Sequence, residues 1–339
     1  MLCTIQKRII QKSYCLTRQF TSKIICFQLN QPEEHILQSD TNFTSIRRED
    51  PTFLRIAIIG SPNAGKSTLI NNLVNRSICP TSSKVHTTQV KCDAVYSSDN
   101  TQLVFVDTPG IITQKEQNKY KLNSSFEKDP KISTRIADIV GVVHDVSNRR
   151  TRNKLNANIL DLLKALKSDI PTLLIMNKID QVKHKDSLLE IIKILTSKSN
   201  WPHFSDIFLI SALTSDGIDS LRDYLISCAK PKDWQYNEDT YTDQSLETII
   251  QQTVRAKLMN FLPQEIPYIS RFVLEYLQTY SEGGINASVI VELPNKRKCS
   301  IVIGKDAKRI KFLVQECEKE LQYALREPVQ LKISVKSKK

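Results

Sequence analysis

Nine consecutive residues concentrate the chemistry of this 339-residue chain: Gly60-Ser61-Pro62-Asn63-Ala64-Gly65-Lys66-Ser67-Thr68. They fit G-x-x-x-x-G-K-[ST], a spacing that lets backbone N–H groups fold around phosphate oxygens. In that pattern Lys66 reaches the β/γ oxygens and the Ser67 hydroxyl ligates Mg2+. The flanks agree. Phe53-Leu54-Arg55-Ile56-Ala57-Ile58-Ile59 reads as a buried strand, and Leu69, Ile70, Leu73 and Val74 recur at helical spacing. A helix starting here adds the positive end of its dipole to the phosphate site.

Three further strings each close an apolar run. Asp107-Thr108-Pro109-Gly110 offers a carboxylate to the Mg2+ shell and the Gly110 N–H to a γ-phosphate, an interaction that hydrolysis removes. Asn177-Lys178-Ile179-Asp180 ends in a carboxylate that can accept from N1–H and the 2-amino group of guanine. Adenine lacks that donor pair, so the string selects GTP over ATP. Ser211-Ala212-Leu213 can present the Ala212 N–H to the guanine O6. Between loop and hairpin stands Thr87-Thr88; Thr88 is favoured as Mg2+ ligand and γ-phosphate contact, Thr87 stays open, and His86 reads as a loop histidine. Lys66, Thr88 and Gly110 form the expected catalytic set. Ile111 occupies the place where a glutamine would orient the attacking water, so slow intrinsic turnover is expected. Asn63 is placed to help ligate a K+ ion that would supply transition-state charge.

These strings need a scaffold that presents strand ends side by side. Residues 90–96 and 103–106 read as a hairpin around Ser97-Ser98-Asp99-Asn100. Residues 139–143, 172–176 and 207–210 read as buried strands, and 152–167 and 186–198 as helices. The polar stretch 113–131 reads as mobile without GTP, with a helix beginning after Phe126-Glu127-Lys128-Asp129-Pro130. The expectation for 52–229 is an α/β P-loop GTPase domain with a mostly parallel sheet and helices on both faces. Residues 230–243 read as a linker.

Beyond the linker, a helix over 244–261, an extended piece at 266–268 and strands at 272–279, 288–293 and 298–303 are expected. A turn at Gly304-Lys305-Asp306-Ala307, a helix over 308–325 and a strand over 329–335 follow. This order matches an α+β type-II KH-like domain over 244–339, an RNA module that clamps about four nucleotides at a G-x-x-G loop. Gly304, Lys305, Lys308, Arg309 and Lys311 are the expected RNA contacts, with Lys296-Arg297-Lys298 on the preceding turn. Ala307 replaces the loop's last glycine, which puts the clamp in question. The lysine-rich end, 332–339, reads as a solvated tail.

The net charge of +12 agrees with a polyanionic partner, and 40% hydrophobic content supports more than one core. No acidic residue precedes Glu33, while Lys7, Arg8, Lys12, Arg18 and Lys23 alternate with apolar residues. Residues 1–20 therefore read as a mitochondrial transit peptide cleaved after Phe20, and 21–51 as a flexible lead-in. Eight scattered cysteines with no C-x-x-C pair point to free thiols in a reducing compartment, without disulfide partners or a zinc site. No apolar run reaches the length of a membrane span.

The loop, the paired threonines, Asp107-Thr108-Pro109-Gly110-Ile111, Asn177-Lys178-Ile179-Asp180, Ser211-Ala212-Leu213 and the KH-like end together resemble the Era family. Leu262-Pro263-Gln264-Glu265-Ile266-Pro267-Tyr268 is similar to that family's entry to its KH domain, and Leu331-Lys332-Ile333-Ser334-Val335-Lys336 to its last strand. The resemblance runs from Thr52 to Lys339. With the leader and the insert before Pro130, the chain looks like the mitochondrial members. The resemblance implies binding near the 3′ end of small-subunit rRNA, a chaperone role in assembly of the small mitoribosomal subunit, and peripheral contact with the inner membrane from the matrix. The competing expectation is a GTP-switched interaction or membrane-surface scaffold whose KH-like domain no longer binds RNA.

Overall fold

The computed structural model describes residues 50–82, 84, 91–111, 125–262 and 265–338. The expected transit peptide, most of the lead-in, His86, Thr87, Thr88 and most of the stretch after Ile111 lie outside them.

The P-loop strand β1 (Thr52–Gly60) leads into α1 (Lys66–Val74). The hairpin β2 (Cys92–Ser98) and β3 (Thr101–Asp107) follows, then α2 (Ser125–Ile136), β4 (Ile139–Asp145), α3 (Ala157–Lys164) and β5 (Thr172–Asn177). The first half ends with α4 (Ser187–Leu195), β6 (Asp206–Leu209), α5 (Ile218–Ser227) and the short β7 (Lys230–Pro231). The sheet order is β2-β3-β1-β4-β5-β6, with β7 pairing β1. Every pair from β3 to β6 along this path is parallel, and β2 joins β3 antiparallel as the hairpin pattern requires.

Side-chain alternation along β1 explains why both faces are covered. Leu54, Ile56 and Ile58 pack with Leu69, Ile70 and Leu73 of α1 and Leu221 and Leu225 of α5. Ala57 and Ile59 point the other way, into a core with Ile159 and Leu163 of α3 and Leu188, Ile191 and Leu195 of α4. A strand buried on both faces reads as a continuous apolar run, which is what the sequence displays.

Helix limits are tighter than the periodicity implied. Instead of starting at 152, α3 starts after Asn156, whose side chain accepts from the Asn158 N–H and caps it. The carbonyl of Arg152 is taken by His144 Nε2 at 2.9 Å, which holds that turn out of the helix. The α4 helix stops at Leu195, where the Thr196 and Ser197 hydroxyls donate to the carbonyls of Ile192 and Ile194. Pro130 lies inside α2 rather than before it.

The second half comprises α6 (Leu246–Phe261), α7 (Glu265–Ile269), β8 (Arg271–Thr279), β9 (Ile285–Leu293), α8 (Lys296–Ile303), α9 (Lys308–Leu325) and β10 (Val329–Ser337). The sheet order is β10-β9-β8, with β9 and β10 parallel and β8 antiparallel. Two expected extended pieces are helical. Residues 298–303 belong to α8, because Cys299 and Val302 are buried at helical spacing and the Asn295 side chain caps the first turn. Residues 266–268 belong to α7, where Pro267 sits in the first turn and removes no helical hydrogen bond.

The polar stretch 230–243 is a fitted strap. Gln102 Oε1 accepts from the N–H groups of Gln235 and Tyr236, and its Nε2 donates to the Tyr236 carbonyl. Tyr236 O–H donates to Asp93 at 2.8 Å, and Val95 N–H donates to the Tyr241 carbonyl at 2.9 Å. Asp93 also pairs with Arg55. Burial and the Asp93 hydrogen bond push the Tyr236 phenol up to about 12.

Candidate functional site

The loop between β1 and α1 turns through Asn63 (φ 59°) and Gly65 (φ 95°). Gly65 has two reasons to be glycine: its φ lies in the left-handed region, and a Cβ there would fall 2.2 Å from Asn177 Nδ2. Lys66 is 7% exposed and folds back onto its own loop, with Nζ donating to the carbonyls of Gly60 at 3.2 Å and Ser61 at 3.1 Å. Burial lowers its ammonium to about 8, although the nearby Asp107 carboxylate pulls it upward. Pro62, Asn63, Gly65, Ser67, Thr68 and Gly110 line one concavity over the loop, closed on its far side by Pro80–Ser82.

Ser67 Oγ donates to Asp107 Oδ2 at 2.8 Å, and Asp107 is fully buried at the end of β3. A hydroxyl and a carboxylate converging at hydrogen-bond distance form a hard oxygen donor set that fits Mg2+. The third expected ligand, Thr88, lies outside the described residues. Thr108 faces away from the loop and donates to the Ile58 carbonyl at 2.9 Å. The Gly110 backbone lies over Pro62, so close that a Cβ would meet Pro62 Cα at 2.9 Å. Ile111 donates its N–H to the Gly60 carbonyl at 3.1 Å and buries its side chain in the core. The position after Gly110 is therefore a packing position in this chain.

Asn177 braces the whole site, a role its place in the string did not reveal. Its Nδ2 donates to the Ala64 carbonyl at 2.8 Å, while its Oδ1 accepts from the N–H groups of Lys178 at 2.8 Å and Ala212 at 2.9 Å. The Ala212 N–H, expected to face a base, is thus committed to Asn177. Ser211 Oγ donates to Asp180 Oδ1 at 2.6 Å and orients that carboxylate. Lys178, in a left-handed turn (φ 68°), reaches Asp145 Oδ2 at 2.7 Å. Burial pushes the Asp145 carboxyl up, but hydrogen bonds from Lys178 and Ser147 outweigh it and hold the group below its usual range. Asp145 was not among the sequence candidates.

A second loop, residues 304–307, joins α8 to α9. Gly304 sits at φ 73°, where a Cβ would fall 2.7 Å from Arg309 Cβ. Asp306 (φ 53°) and Ala307 (φ 56°) are both left-handed. Lys305, Lys308, Arg309 and Lys311 are exposed around it, and the Arg309 guanidinium donates to the Ile301 carbonyl at the end of α8.

Residues 55–178 match the family model of the 50S ribosome-binding GTPases. The mitochondrial GTPase Era of Danio rerio is 34% identical over an alignment spanning 86% of this chain and 76% of that one. GTPase Era of Ehrlichia ruminantium is 33% identical, with 83% and 90% covered. The chain belongs to the Era family of GTPases. A crystal structure of Era in complex with MgGDPNP and nucleotides 1506–1542 of 16S ribosomal RNA superposes with a TM-score of 0.72 at 26% identity, covering 85% of this chain and 94% of that one.

In this Era-family GTPase the two loops are connected through helices. The turn after α1 meets the C-terminal end of α9: Arg76 Nη1 donates to the Ala324 carbonyl at 3.2 Å, and Ser77 Oγ to Glu320 Oε1 at 2.9 Å. The Arg76 guanidinium also covers the Tyr241 ring of the strap at 4.4 Å. Lys84 donates to the Leu262 carbonyl at the end of α6. Among the described residues no helix is long and apolar enough to cross a membrane.

Proposed function

We propose that this GTPase times the folding of small-subunit ribosomal RNA during assembly of the mitochondrial ribosome. In this reading 52–229 holds the nucleotide, 230–243 straps it to 244–339, and residues 1–20 are the transit peptide. Gly60 to Thr68 cradle the phosphates, with Lys66, Thr88 and Gly110 on the γ-phosphate. Ser67, Asp107 and Thr88 hold Mg2+, which when bound offsets phosphate charge, and Asn63 helps hold K+. Asp180, set by Ser211, reads the guanine edge, with Asn177 and Lys178 shaping its pocket. Along 211–214 the Ser211, Ala212 and Thr214 N–H groups have intramolecular acceptors. That leaves the Leu213 N–H for the guanine O6.

The observation that carries the reading is the series of two helices. The α1 helix starts at the phosphate loop and ends beside Arg76 and Ser77. The α9 helix starts at the Gly304–Ala307 loop and ends on the same two residues. At 1.5 Å per residue the two rods span about 13 Å and about 27 Å. A phosphate-dependent tilt of α1 therefore reaches the loop that Lys305, Lys308, Arg309 and Lys311 surround. Such coupling works through the different affinities of the two states for nucleotide and RNA.

The RNA assignment draws on the Era relative bound to a 16S rRNA fragment, and the compartment on the mitochondrial relatives. Peripheral contact with the matrix face of the inner membrane comes from the family resemblance alone. Ala307 was the main support for a scaffold without RNA. Its left-handed φ means the loop keeps the turn a glycine would give, so what remains of that support is the methyl group's effect on the approach of an RNA backbone. Crosslinking RNA to the protein in mitochondria tests the proposal: fragments concentrated near the 3′ end of small-subunit rRNA are expected. A uniform background across transcripts would favour the scaffold instead.

A further inference from the structure

Two thiols sit beside Asp107 and have no part in the chemistry above. Cys79 follows α1 and Cys92 opens β2; they are 0% and 1% exposed. Their Sγ atoms are 3.8 Å apart, and together with an Asp107 oxygen all three ligand atoms fall within 4.8 Å of one another. Each thiol is fixed on its own element. Cys79 N–H donates to Asn71 Oδ1 at 2.8 Å, and Asn71 Nδ2 donates to the Cys79 carbonyl at 2.9 Å. Cys92 is the direct cross-strand partner of Asp107 in the β2–β3 register. Asp107 in turn takes the Ser67 hydrogen bond.

We propose that Cys79 and Cys92 are an oxidisable dithiol, and that their closure to a disulfide by hydrogen peroxide loosens the site's hold on Mg2+–guanine nucleotide. The second half of this statement rests on the reading of Asp107 as a Mg2+ ligand. A disulfide needs sulfurs about 2.05 Å apart, so the pair must close by roughly 1.8 Å from its 3.8 Å separation. In the reaction one sulfur takes a peroxide oxygen and releases a water. The other sulfur then displaces that oxygen as a second water. Two thiols lose two electrons and two protons, and one peroxide becomes two waters. Burial restricts the reaction to a small uncharged oxidant and makes it slow. Closure removes the S–H groups beside Asp107 and draws its cross-strand partner toward the turn after α1. Both changes shift the carboxylate relative to Ser67.

The test treats the full chain with hydrogen peroxide, blocks remaining thiols with an alkylating agent and maps peptides by mass spectrometry. Release of a fluorescent guanine nucleotide is timed in parallel. A 79–92 linkage is expected, with nucleotide released roughly three- to tenfold faster, the scale of one disturbed hydrogen bond. Dithiothreitol should reverse both effects, and Cys92→Ala should be insensitive to peroxide, with Cys79→Ala as the second variant if the first folds poorly. Cys228, Cys299 and Cys317 serve as internal references. Oxidation at Cys228 with no 79–92 linkage overturns the dithiol, and linkage with unchanged release overturns its effect on the site. Untreated protein that fails to bind the nucleotide would sink the guanine-site reading, while the peptide map would still decide the dithiol.

Discussion

Two loops in this molecule enter helices through a left-handed residue, and they are built in opposite ways. The phosphate loop passes through Gly65 into α1, and its backbone is tied to Asn177 from the far end of β5. Its lysine is buried and charged before any ligand arrives. The 304–307 loop passes through Ala307 into α9, and its cations stand in solvent with Arg309 as the local tie. Under the proposed function, a compact triphosphate is bound by donors fixed in advance, and the Asn177 brace fixes the first loop. Under the same proposal, a long, adaptable sugar–phosphate chain would need only a turn of the right shape with solvent-exposed cations around it, which the second loop offers.

The largest effect is expected where that bracing is densest. Gly65→Ala puts a methyl group onto Asn177 Nδ2 and forces a left-handed φ on alanine. Displacing Asn177 also releases the Ala64, Lys178 and Ala212 bonds. A loss of about 3 kcal/mol or more in stability is expected, with no measurable GTP binding by equilibrium dialysis. Near-normal binding would mean that the brace does not set the site.

Lys66→Met separates stability from function. The lysine's folded value of about 8 lies below its ordinary 10.5, so its charge opposes folding at neutral pH. Removing it should abolish nucleotide binding and lift the buried charge's penalty on folding of the nucleotide-free protein at pH 7, a gain that the lost bonds to the Gly60 and Ser61 carbonyls partly offset. The sign of the pH dependence follows. Between pH 8 and 10.5 the unfolded chain holds the lysine proton more tightly, so wild-type stability rises with pH relative to the variant. The window to measure lies between pH 8 and 10.5; the buried thiols, whose values are raised, add an opposing slope to both proteins alike and cancel in the comparison. Urea titrations of both proteins at several pH values check this; parallel curves would mean that burial does not lower the Lys66 ammonium in the empty loop.

The contact between the helices connects the two loops, and its removal should uncouple them. Arg76→Ala with Ser77→Ala deletes the bonds to Ala324 and Glu320. Nucleotide and RNA should each still bind, but the effect of one on the affinity for the other should shrink, within a range of about 5- to 150-fold for typical couplings. Titrating RNA with and without a non-hydrolysable GTP analogue measures it.

The unequal legibility of the two loops has a physical cause. Chemistry at the phosphate loop is local: Gly60 to Thr68 and the strand-end strings are contiguous, and the apolar runs before them set the parallel sheet. What stayed hidden was long-range. The Asn177 brace on Ala64, the Lys178–Asp145 pair and the burial of Ile111 depend on which strands lie side by side. Residues 230–243 looked like a polar linker because a strap held by hydrogen bonds has the composition of a loop. Residues 298–303 looked like a strand because Cys299 and Val302 are separated by only one helical turn, too short a run for its period to show.

The smallest expected effect falls on the second loop and sharpens the contrast most. Ala307 holds φ 56° with a Cβ, where an L-residue is disfavoured by about 1 to 2 kcal/mol. Ala307→Gly relieves that strain but gives the unfolded chain more freedom, which offsets part of the gain, leaving about 1 kcal/mol or less of net stabilisation. If the clamp is limited by turn strain, RNA affinity should rise by no more than severalfold while nucleotide affinity stays fixed. If the methyl group itself keeps the RNA backbone away, affinity should rise far beyond what the stability gain accounts for. Thermal melts and RNA titrations on the same variant separate these cases. A destabilised Ala307→Gly protein would mean that the methyl makes contacts worth more than the strain, and that this loop, like the first, is braced after all.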